Sequence, residues 1–283
     1  MKRFLLTLLI LVLVAALGAL VLAPVALRQY RLQESAKVVL NYRAAADRLS
    51  PSDCGTLLAQ AREYNEALND DVWTDPYVPA PAAGAEENEQ YRSLLNPAGD
   101  GVMAVLDLPK QGVSLPVYHG GEAGSPVARV MHAPQTRLPS GKAKGPCVLY
   151  APRERFFDPF AGLNRLIDGD CFFLRVLQDT QTYEVFQVAV TLPQNLDQFQ
   201  SQGDEDECVL VAELPAGGQM FVARGRRVPR KSASPRDDSR ALPDWASGLI
   251  LGTPVMAAGL VLLAVTEGLR RPLKRRMRRR MRL

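Results

Sequence analysis

GVMAVLDLPKQGVSLPVY, residues 101–118, is the stretch of the chain that decides its fold class. Residues 102–108 are almost entirely apolar and end at Pro109, and a second such run, residues 113–118, follows after a short polar turn. Short runs rich in β-branched residues and bounded by Pro or Gly are typical of β-strands joined by turns. The stretch therefore predicts two consecutive strands.

The chain beyond this stretch continues the same pattern. Five more short apolar runs follow, at residues 147–150, 171–176, 183–190, 208–212 and 220–223. Many short strands with regularly spaced turns indicate an all-β barrel or sandwich, and residues 163–167 fit a short helical connection within it. We therefore expect a mainly β domain.

On the N-terminal side of the strands the pattern becomes helical. Apolar residues recur near a 3.6-residue period from residue 33 to residue 69, interrupted at Pro51, where Ser52 or Asp53 can cap a second helix. Residues 70–88 are rich in proline and predict an irregular exposed segment. A short helical stretch, residues 88–95, leads into the strands.

Both ends of the chain carry long uncharged apolar runs. Residues 4–27, about 24 in number, are enough to cross a hydrocarbon core of about 30 Å at 1.5 Å per residue. A cleaved signal peptide is the alternative, but its apolar core is shorter, roughly 7–15 residues, and a small-residue cleavage site follows it. We therefore predict a retained anchor at residues 4–27 and a second span at residues 245–265.

Basic residues flank both predicted spans. Lys2 and Arg3 precede the first, and residues 266–283 hold nine Lys and Arg residues after the second. Basic residues beside a span favour the cytoplasmic side, so both termini are predicted to be cytoplasmic and residues 28–244 extracytoplasmic. The tail is expected to contact anionic lipid, and the mildly acidic outer part gives no reason to expect nucleic acid as a partner.

A series of short motifs, in order, gives the chain a resemblance to a known family. The motifs are Tyr64-Asn65-x-x-Leu68, Asp75-Pro76-Tyr77, Tyr91-x-x-Leu94-Leu95, Gly101-Val102-Met103, Leu108-Pro109-Lys110, residues 115–120, Leu166-Ile167-Asp168-Gly169-Asp170, Tyr183-Glu184-Val185 and residues 224–228. With the predicted span at each end, this order resembles the class C, or pilin-type, sortases over roughly residues 35–265.

The resemblance implies a mainly β fold: an eight-stranded sortase-type β-barrel with N-terminal helices, plus one transmembrane helix at each end. The implied organisation is an anchor at 4–27, helices at 28–69, a lid segment at 70–97, the barrel at 98–228, a stalk at 229–244, a second span at 245–265 and a basic tail at 266–283. In the lid, Asp75, Pro76 and Tyr77 match the motif that places an Asp and an aromatic residue in the active-site groove.

Active class C sortases join a sorting-signal peptide to an amine on another pilin, using a Cys nucleophile, a His and an Arg. The matching positions in this chain are Glu213 for the Cys, Pro152 for the His and Met220 for the Arg. A carboxylate cannot form the thioester, and proline has no side-chain proton to exchange. The resemblance therefore implies a sortase-like protein without transpeptidase activity, which binds pilins or sorting peptides or scaffolds an active sortase.

Two other functions remain open. An active pilin-polymerising enzyme would need relocated groups, such as Cys208 meeting His119 or His132, although both histidines match non-catalytic turns of the family. A purely structural membrane protein is the third class. The sequence contains no phosphate-binding loop and no spaced Cys/His set, so no metal and no cofactor are expected.

Two further pairings are predicted near the site. Cys147 and Cys208 each lie five residues before a matched position, Pro152 and Glu213, on strands that are neighbours in the family. A disulfide between them is therefore a hypothesis. Arg153, beside Pro152, is the expected ion-pair partner of Glu213 if that carboxylate is buried.

Overall fold

The computed structural model describes residues 2–68, 75–77, 85–120, 129–141, 145–151, 158–199, 205–214 and 218–229. The predicted stalk, second span and basic tail lie outside the described residues, as do Pro152 and Arg153. Within the described part of the chain, no helix was found that is long and apolar enough to span a membrane. Residues 4–27 form part of the first helix, but most of their side chains are not among those described.

Eight strands close into a barrel, which confirms the predicted eight-stranded β-barrel. The barrel lies in a compact unit, Leu27–Ala233. The strands are β1 Val102–Leu108, β2 Val113–His119, β3 Val130–His132, β4 Gly145–Ala151, β5 Cys171–Val176, β6 Asp179–Thr191, β7 Asp206–Glu213 and β8 Met220–Val228. Their order around the barrel is β1-β2-β3-β4-β7-β8-β6-β5, with β2–β3 and β4–β7 parallel and the other pairs antiparallel.

Strand β3 was not predicted, and its presence corrects the placement of both histidines. His119 is the last residue of β2 and His132 the last residue of β3, whereas the sequence interpretation put them in turns. The two residues are Cα partners in the parallel β2–β3 ladder, and both are buried. A three-residue strand leaves almost no periodic pattern in a sequence, which is why this element was missed.

Three helices precede the barrel, close to the predicted positions: α1 Lys2–Asp47, α2 Pro51–Ala67 and α3 Ala85–Ser93. The start of α2 is fixed by a capping box, in which the Ser50 hydroxyl accepts from the Asp53 N–H and the Asp53 carboxylate accepts from the Ser50 N–H. Pro51 stands at the first helical position, where its missing N–H is not needed. The break predicted at Pro51 is thus a helix start, and α1 ends at Asp47.

Asn65 of α2 holds that helix against the barrel. Its side-chain oxygen accepts from the Leu138 N–H at 2.7 Å, and its amide donates to the Leu138 carbonyl at 2.9 Å. The Asn65 amide therefore satisfies both backbone groups of Leu138, as a neighbouring strand would. This is a physical reason for an asparagine at this position of the Tyr64-Asn65 motif.

Tyr42 anchors α1 to the β5–β6 hairpin. Its buried hydroxyl donates to the Met103 carbonyl and accepts from the Leu177 N–H, both at 2.8 Å. Replacing Tyr42 with Phe is expected to lower the free energy of unfolding by about 1–3 kcal/mol, because it leaves buried backbone groups without this partner.

The matched control is Tyr30→Phe on the same helix. The Tyr30 side chain is 51% exposed, so its loss of a hydroxyl is expected to change stability by no more than about 0.5 kcal/mol. Urea unfolding of the full chain with both variants measures the difference, and equal effects would show that the Tyr42 hydroxyl does not hold α1 in place.

The strands β7 and β8 separate two apolar clusters. Successive side chains of a strand point to opposite faces, so alternate residues of each strand enter different clusters. The inner cluster fills the barrel and includes Cys208, Leu210 and Ala212 of β7. The outer cluster contains Met131, Ala133, Val148, Tyr150, Leu196, Phe199, Val209, Val211, Met220 and Val222, with Tyr77 packed against it.

Candidate functional site

The ends of strands β4 and β7 form the candidate site. The two strands run parallel and in register up to the pair Ala151 and Ala212. The next residue of β7 is Glu213, whose Cα partner on the antiparallel strand β8 is Met220. We call Ala151, Glu213, Met220 and Tyr77 the strand-end site. Pro152 follows Ala151 in the chain and lies outside the described residues.

Glu213 and Met220 share the face of the outer cluster, because both alternate with inward-facing neighbours. Glu213 is exposed, whereas Met220 is buried at 3% exposure and packs with Val222. An exposed carboxylate keeps its hydration, so Glu213 does not require the ion pair with Arg153 that burial would have demanded. That pairing involves a residue outside the described part and stays a prediction.

Tyr77 closes the site from outside. Asp75 accepts from the Tyr77 N–H at 2.9 Å and so forms the turn that directs the ring. The Tyr77 hydroxyl lies 2.9 Å from the carbonyl oxygen of Ala151 and 3.2 Å from that of Val211, and it donates to them. Its ring meets Tyr150 edge to face, with centroids 5.3 Å apart.

The environment of the Tyr77 hydroxyl keeps it protonated. Burial raises the pKa of Tyr77 well above its ordinary value, and the negative charges of Glu213 and Asp158 raise it further. A neutral hydroxyl remains a donor to the strand-end carbonyls over the whole physiological range. The assignment of Asp75, Pro76 and Tyr77 as a lid stays a prediction, and this geometry supports it.

The outer cluster offers no nucleophile for acyl transfer. Among its described members there is no cysteine and no histidine. Two of the three positions that match the family's catalytic residues, Glu213 and Met220, are Cα partners in the β7–β8 ladder. The third, Pro152, follows Ala151 in the chain. A carboxylate opposite a thioether can bind a cation or accept a hydrogen bond, but it cannot make the thioester that sortase chemistry requires.

A thiol and an imidazole do meet, but inside the barrel. Cys147 and Cys208 are Cα partners, as their equal offsets predicted, and both thiols face the inner cluster. His132 is the Cα partner of Leu149, two residues along β4 from Cys147 and on the same face. The relocated pair was expected to involve Cys208, and the structure instead places Cys147 against His132. All four cysteines are among the described residues, and none is in a disulfide there.

The pKa values of the two thiols are shifted in opposite directions. Burial acts to raise the pKa of Cys147, but the neighbouring Cys208 thiol and the His132 ring outweigh burial and lower that pKa. Burial and the neighbouring Cys147 raise the pKa of Cys208 well above its ordinary value. Since Cys147 is 1% exposed and Cys208 fully buried, a peptide cannot reach either sulfur from the strand-end site.

Tyr91 joins α3 to this inner group. Its hydroxyl donates to His132 Nδ1 at 2.8 Å and accepts from the Gly120 N–H at 3.2 Å. His132 Nε2 lies 2.9 Å from the Arg137 carbonyl, which only accepts, so the network assigns the ring proton to Nε2. Sequence reasoning matched Tyr91 to a family motif, but its partner could not be predicted without β3.

Comparison with known proteins identifies the barrel. The family model of the sortase domain matches residues 106–218. This part of the chain is similar to the sortase domain. No curated protein matches it. The outer cluster, the strand-end site and the inner thiol pair all involve strands within the matched sortase region.

Solved sortase structures share the fold over most of their length. Sortase C1 of Streptococcus agalactiae is 25% identical with a TM-score of 0.60, and the match covers 69% of this chain and 100% of that one. Sortase C-1 of Actinomyces oris is 28% identical with a TM-score of 0.56, covering 63% and 99%. A pilus-related sortase C of Group B Streptococcus is 25% identical with a TM-score of 0.57, covering 68% and 97%. The predicted resemblance to class C sortases is thereby confirmed.

Proposed function

We propose that this sortase-like chain binds peptide segments at the strand-end site without transferring them. The observation that carries the proposal is the pairing of Glu213 with Met220 at the end of β7, on a face whose described cluster contains neither cysteine nor histidine. A site with this composition can hold a peptide by shape, apolar contact and backbone hydrogen bonds, and it has no means of forming an acyl-enzyme.

The similar structures suggest which peptides to test. Sortase C of Group B Streptococcus is described as pilus-related, so pilins and their sorting-signal segments are the proposed partners. An active sortase at the same assembly site is a further proposed partner, for which this chain would act as a scaffold. The long apolar runs at residues 4–27 and 245–265 support the proposal that the barrel is held at the outer face of the cell membrane.

Tyr77 is expected to control access to this site. Its hydroxyl bonds to Ala151 and Val211 would have to break before a peptide could use those carbonyls. The two carbonyls share the one hydroxyl proton, and a contribution of about 1.4 kcal/mol from this contact means that its removal raises the population of the open state about tenfold. We therefore expect Tyr77→Phe, which loses the hydroxyl, to bind an LPxTG-type peptide about ten times more tightly than the unmodified chain, and Tyr77→Ala, which also loses the ring, to bind at least as tightly. Fluorescence anisotropy of a labelled peptide measures the affinity.

Turnover is measured on the same samples. The full chain in detergent, incubated with the peptide and an amine acceptor, is expected to yield no transpeptidation product and no acyl-enzyme by mass spectrometry. Turnover that disappears on Cys147→Ala or Cys208→Ala would overturn the proposal in favour of a relocated active site. Absence of binding even for Tyr77→Ala would contradict peptide binding and leave a purely structural role.

A further inference from the structure

The inner face of the sortase barrel carries a chemical group that the strand-end site does not use. Cys147 of β4 and Cys208 of β7 are opposite each other in a parallel ladder, and both side chains enter the inner cluster. Neighbouring strands lie about 4.8 Å apart, within the roughly 4.4–6.8 Å range of Cα separations that disulfides span. The Cα separation of such partners therefore already suits a disulfide.

The two cysteines are chemically unequal. His132 of β3 is the Cα partner of Leu149, two residues along β4 from Cys147 and on the same face, and it lowers the pKa of Cys147 but does not act on Cys208. An imidazole beside a thiol favours its thiolate, so the thiolate forms more readily at Cys147. Cys147 is thus the nucleophilic member and Cys208 the resolving member.

We propose that Cys147 and Cys208 are a peroxide-oxidisable pair that forms a disulfide inside the barrel, with Cys147 reacting first. In the first step the Cys147 thiolate attacks one peroxide oxygen: an S–O bond forms, the O–O bond breaks, and the departing hydroxide takes up a proton to leave as water. In the second step the Cys208 sulfur attacks the resulting sulfenic acid. The S–S bond forms, the S–O bond breaks, and the hydroxide leaves as water with the Cys208 proton.

The overall reaction consumes two thiols and one hydrogen peroxide and yields one disulfide and two waters, so atoms and electrons balance. The burial of the pair selects the oxidant. Cys147 is 1% exposed and Cys208 fully buried, so a protein disulfide or a bulky thiol reagent cannot reach either sulfur. A peroxide is close to water in size and can enter during small fluctuations of the barrel. This inference does not depend on peptide binding at the strand-end site.

The disulfide would join the two strands that end at the strand-end site. The pair lies four residues before the last paired residues of these strands, Ala151 and Ala212. Oxidation would also remove the thiolate that contacts His132, which the Tyr91 hydroxyl binds from α3. A covalent link at this place fixes the spacing of β4 and β7 just below the carbonyls that Tyr77 contacts.

The test uses the reduced full chain in detergent, treated with hydrogen peroxide, unfolded in N-ethylmaleimide and digested without reductant. Mass spectrometry is expected to find the Cys147–Cys208 crosslinked peptide, with Cys54 carried through as the maleimide adduct. Cys54 is the internal control because it is buried beside Asp53, and both effects raise its pKa. Recovery of Cys147 and Cys208 as maleimide adducts after full treatment would overturn the proposal.

The order of the steps is tested with single variants. Cys208→Ser is expected to stop at the sulfenic acid, so dimedone labels Cys147, whereas Cys147→Ser is expected to give little label on Cys208. His132→Gln is expected to slow oxidation about tenfold without changing the product, since the imidazole that favours the thiolate is lost. Equal dimedone labelling of the two single-cysteine variants would refute the assigned order. Circular dichroism confirms that each variant is folded before it is compared.

Discussion

Replacing Arg224 with methionine is expected to lower the free energy of unfolding by about 3 kcal/mol or more, the largest effect of any single change considered for the barrel. Arg224 of β8 donates through Nη2 at 2.7 Å and Nε at 3.2 Å to one carboxylate oxygen of Glu207 on β7. The exposed fractions of the two side chains are 13% and 5%, so water screens the pair little. Methionine removes the positive charge and leaves the Glu207 carboxylate in a buried position.

Arg226, two residues along the same strand, provides the matched control. Its guanidinium is 51% exposed and lies 3.9 Å from Glu205, which is 56% exposed. Both arginines lie over the Phe186 ring, at 4.9 Å and 5.2 Å from its centroid, so the stacking contribution is similar. Arg226→Met is expected to change stability by no more than about 1 kcal/mol. Equal losses in urea unfolding of the two variants would show that burial of the ion pair does not decide its contribution.

The Arg224 result also bears on what a sequence motif means. Residues 224–228 match a family motif, but the sequence alone gives no physical reason for these residue types. The structure supplies one for Arg224, in the buried pair with Glu207, and another for Gly225. A Cβ on Gly225 would lie 2.5 Å from a ring carbon of Phe172, which stacks on Tyr183 with centroids 5.4 Å apart. The motif therefore maintains the barrel wall behind the site.

The strands could be predicted because each is a run of apolar or alternating residues with a clear end. β1 and β5 have the predicted bounds, and β2, β4, β6 and β7 extend the predicted runs by one or more residues at one or both ends. β8 is longer than its predicted run because Arg224, Arg226 and Arg227 interrupt the apolar pattern while remaining in the ladder. Charged side chains that reach carboxylates on neighbouring strands are compatible with a strand, but they do not predict one from the sequence.

The contacts of the candidate site could be predicted only where two neighbouring strands have matching positions at equal distances from a family motif. The equal offsets of Cys147 and Cys208 from the matched positions predicted that they are neighbours, and the parallel β4–β7 ladder places them as Cα partners. The contact between Cys147 and His132 was not predictable, because it requires β3 to lie beside β4. Likewise, no local pattern indicates that the Tyr77 hydroxyl reaches Ala151 and Val211, more than 70 residues away in the chain.

Lowering the pH from about 6.5 to about 4 is expected to remove about 3 kcal/mol of stability through His119 alone. Burial lowers the pKa of His119 to about 4, and the carbonyls of Gly101 and Leu94, which favour the charged ring, do not compensate. The unfolded chain binds a proton at the ordinary pKa of about 6.5, whereas the folded chain stays neutral until about pH 4. Between these values the unfolded state binds more protons, so stability falls as the pH falls, by about 1.4 kcal/mol per pH unit.

Groups on several elements around His119 disfavour a positive charge on its ring. Tyr91 of α3 presents its ring edge to face at 4.8 Å, and Arg92 of α3 and the neighbouring His132 of β3 both disfavour a positive charge on the His119 ring. Among the described residues, His119 Nε2 has no hydrogen-bond partner, while Nδ1 lies 3.0 Å from the Gly101 carbonyl and donates to it. A second proton on the ring would therefore be buried without a well-aligned hydrogen bond at Nε2.

His119→Asn separates this titration from all others. The asparagine amide can still donate to the Gly101 carbonyl, but it does not titrate between pH 4 and 6.5. The stability of the unmodified chain relative to the variant, from urea unfolding at several pH values, is expected to fall by about 3 kcal/mol over that interval. Asp206, whose pKa burial raises, acts in the opposite direction in both proteins and cancels in the difference. A difference that stays constant with pH would show that His119 accepts its proton as readily in the folded barrel as in the unfolded chain.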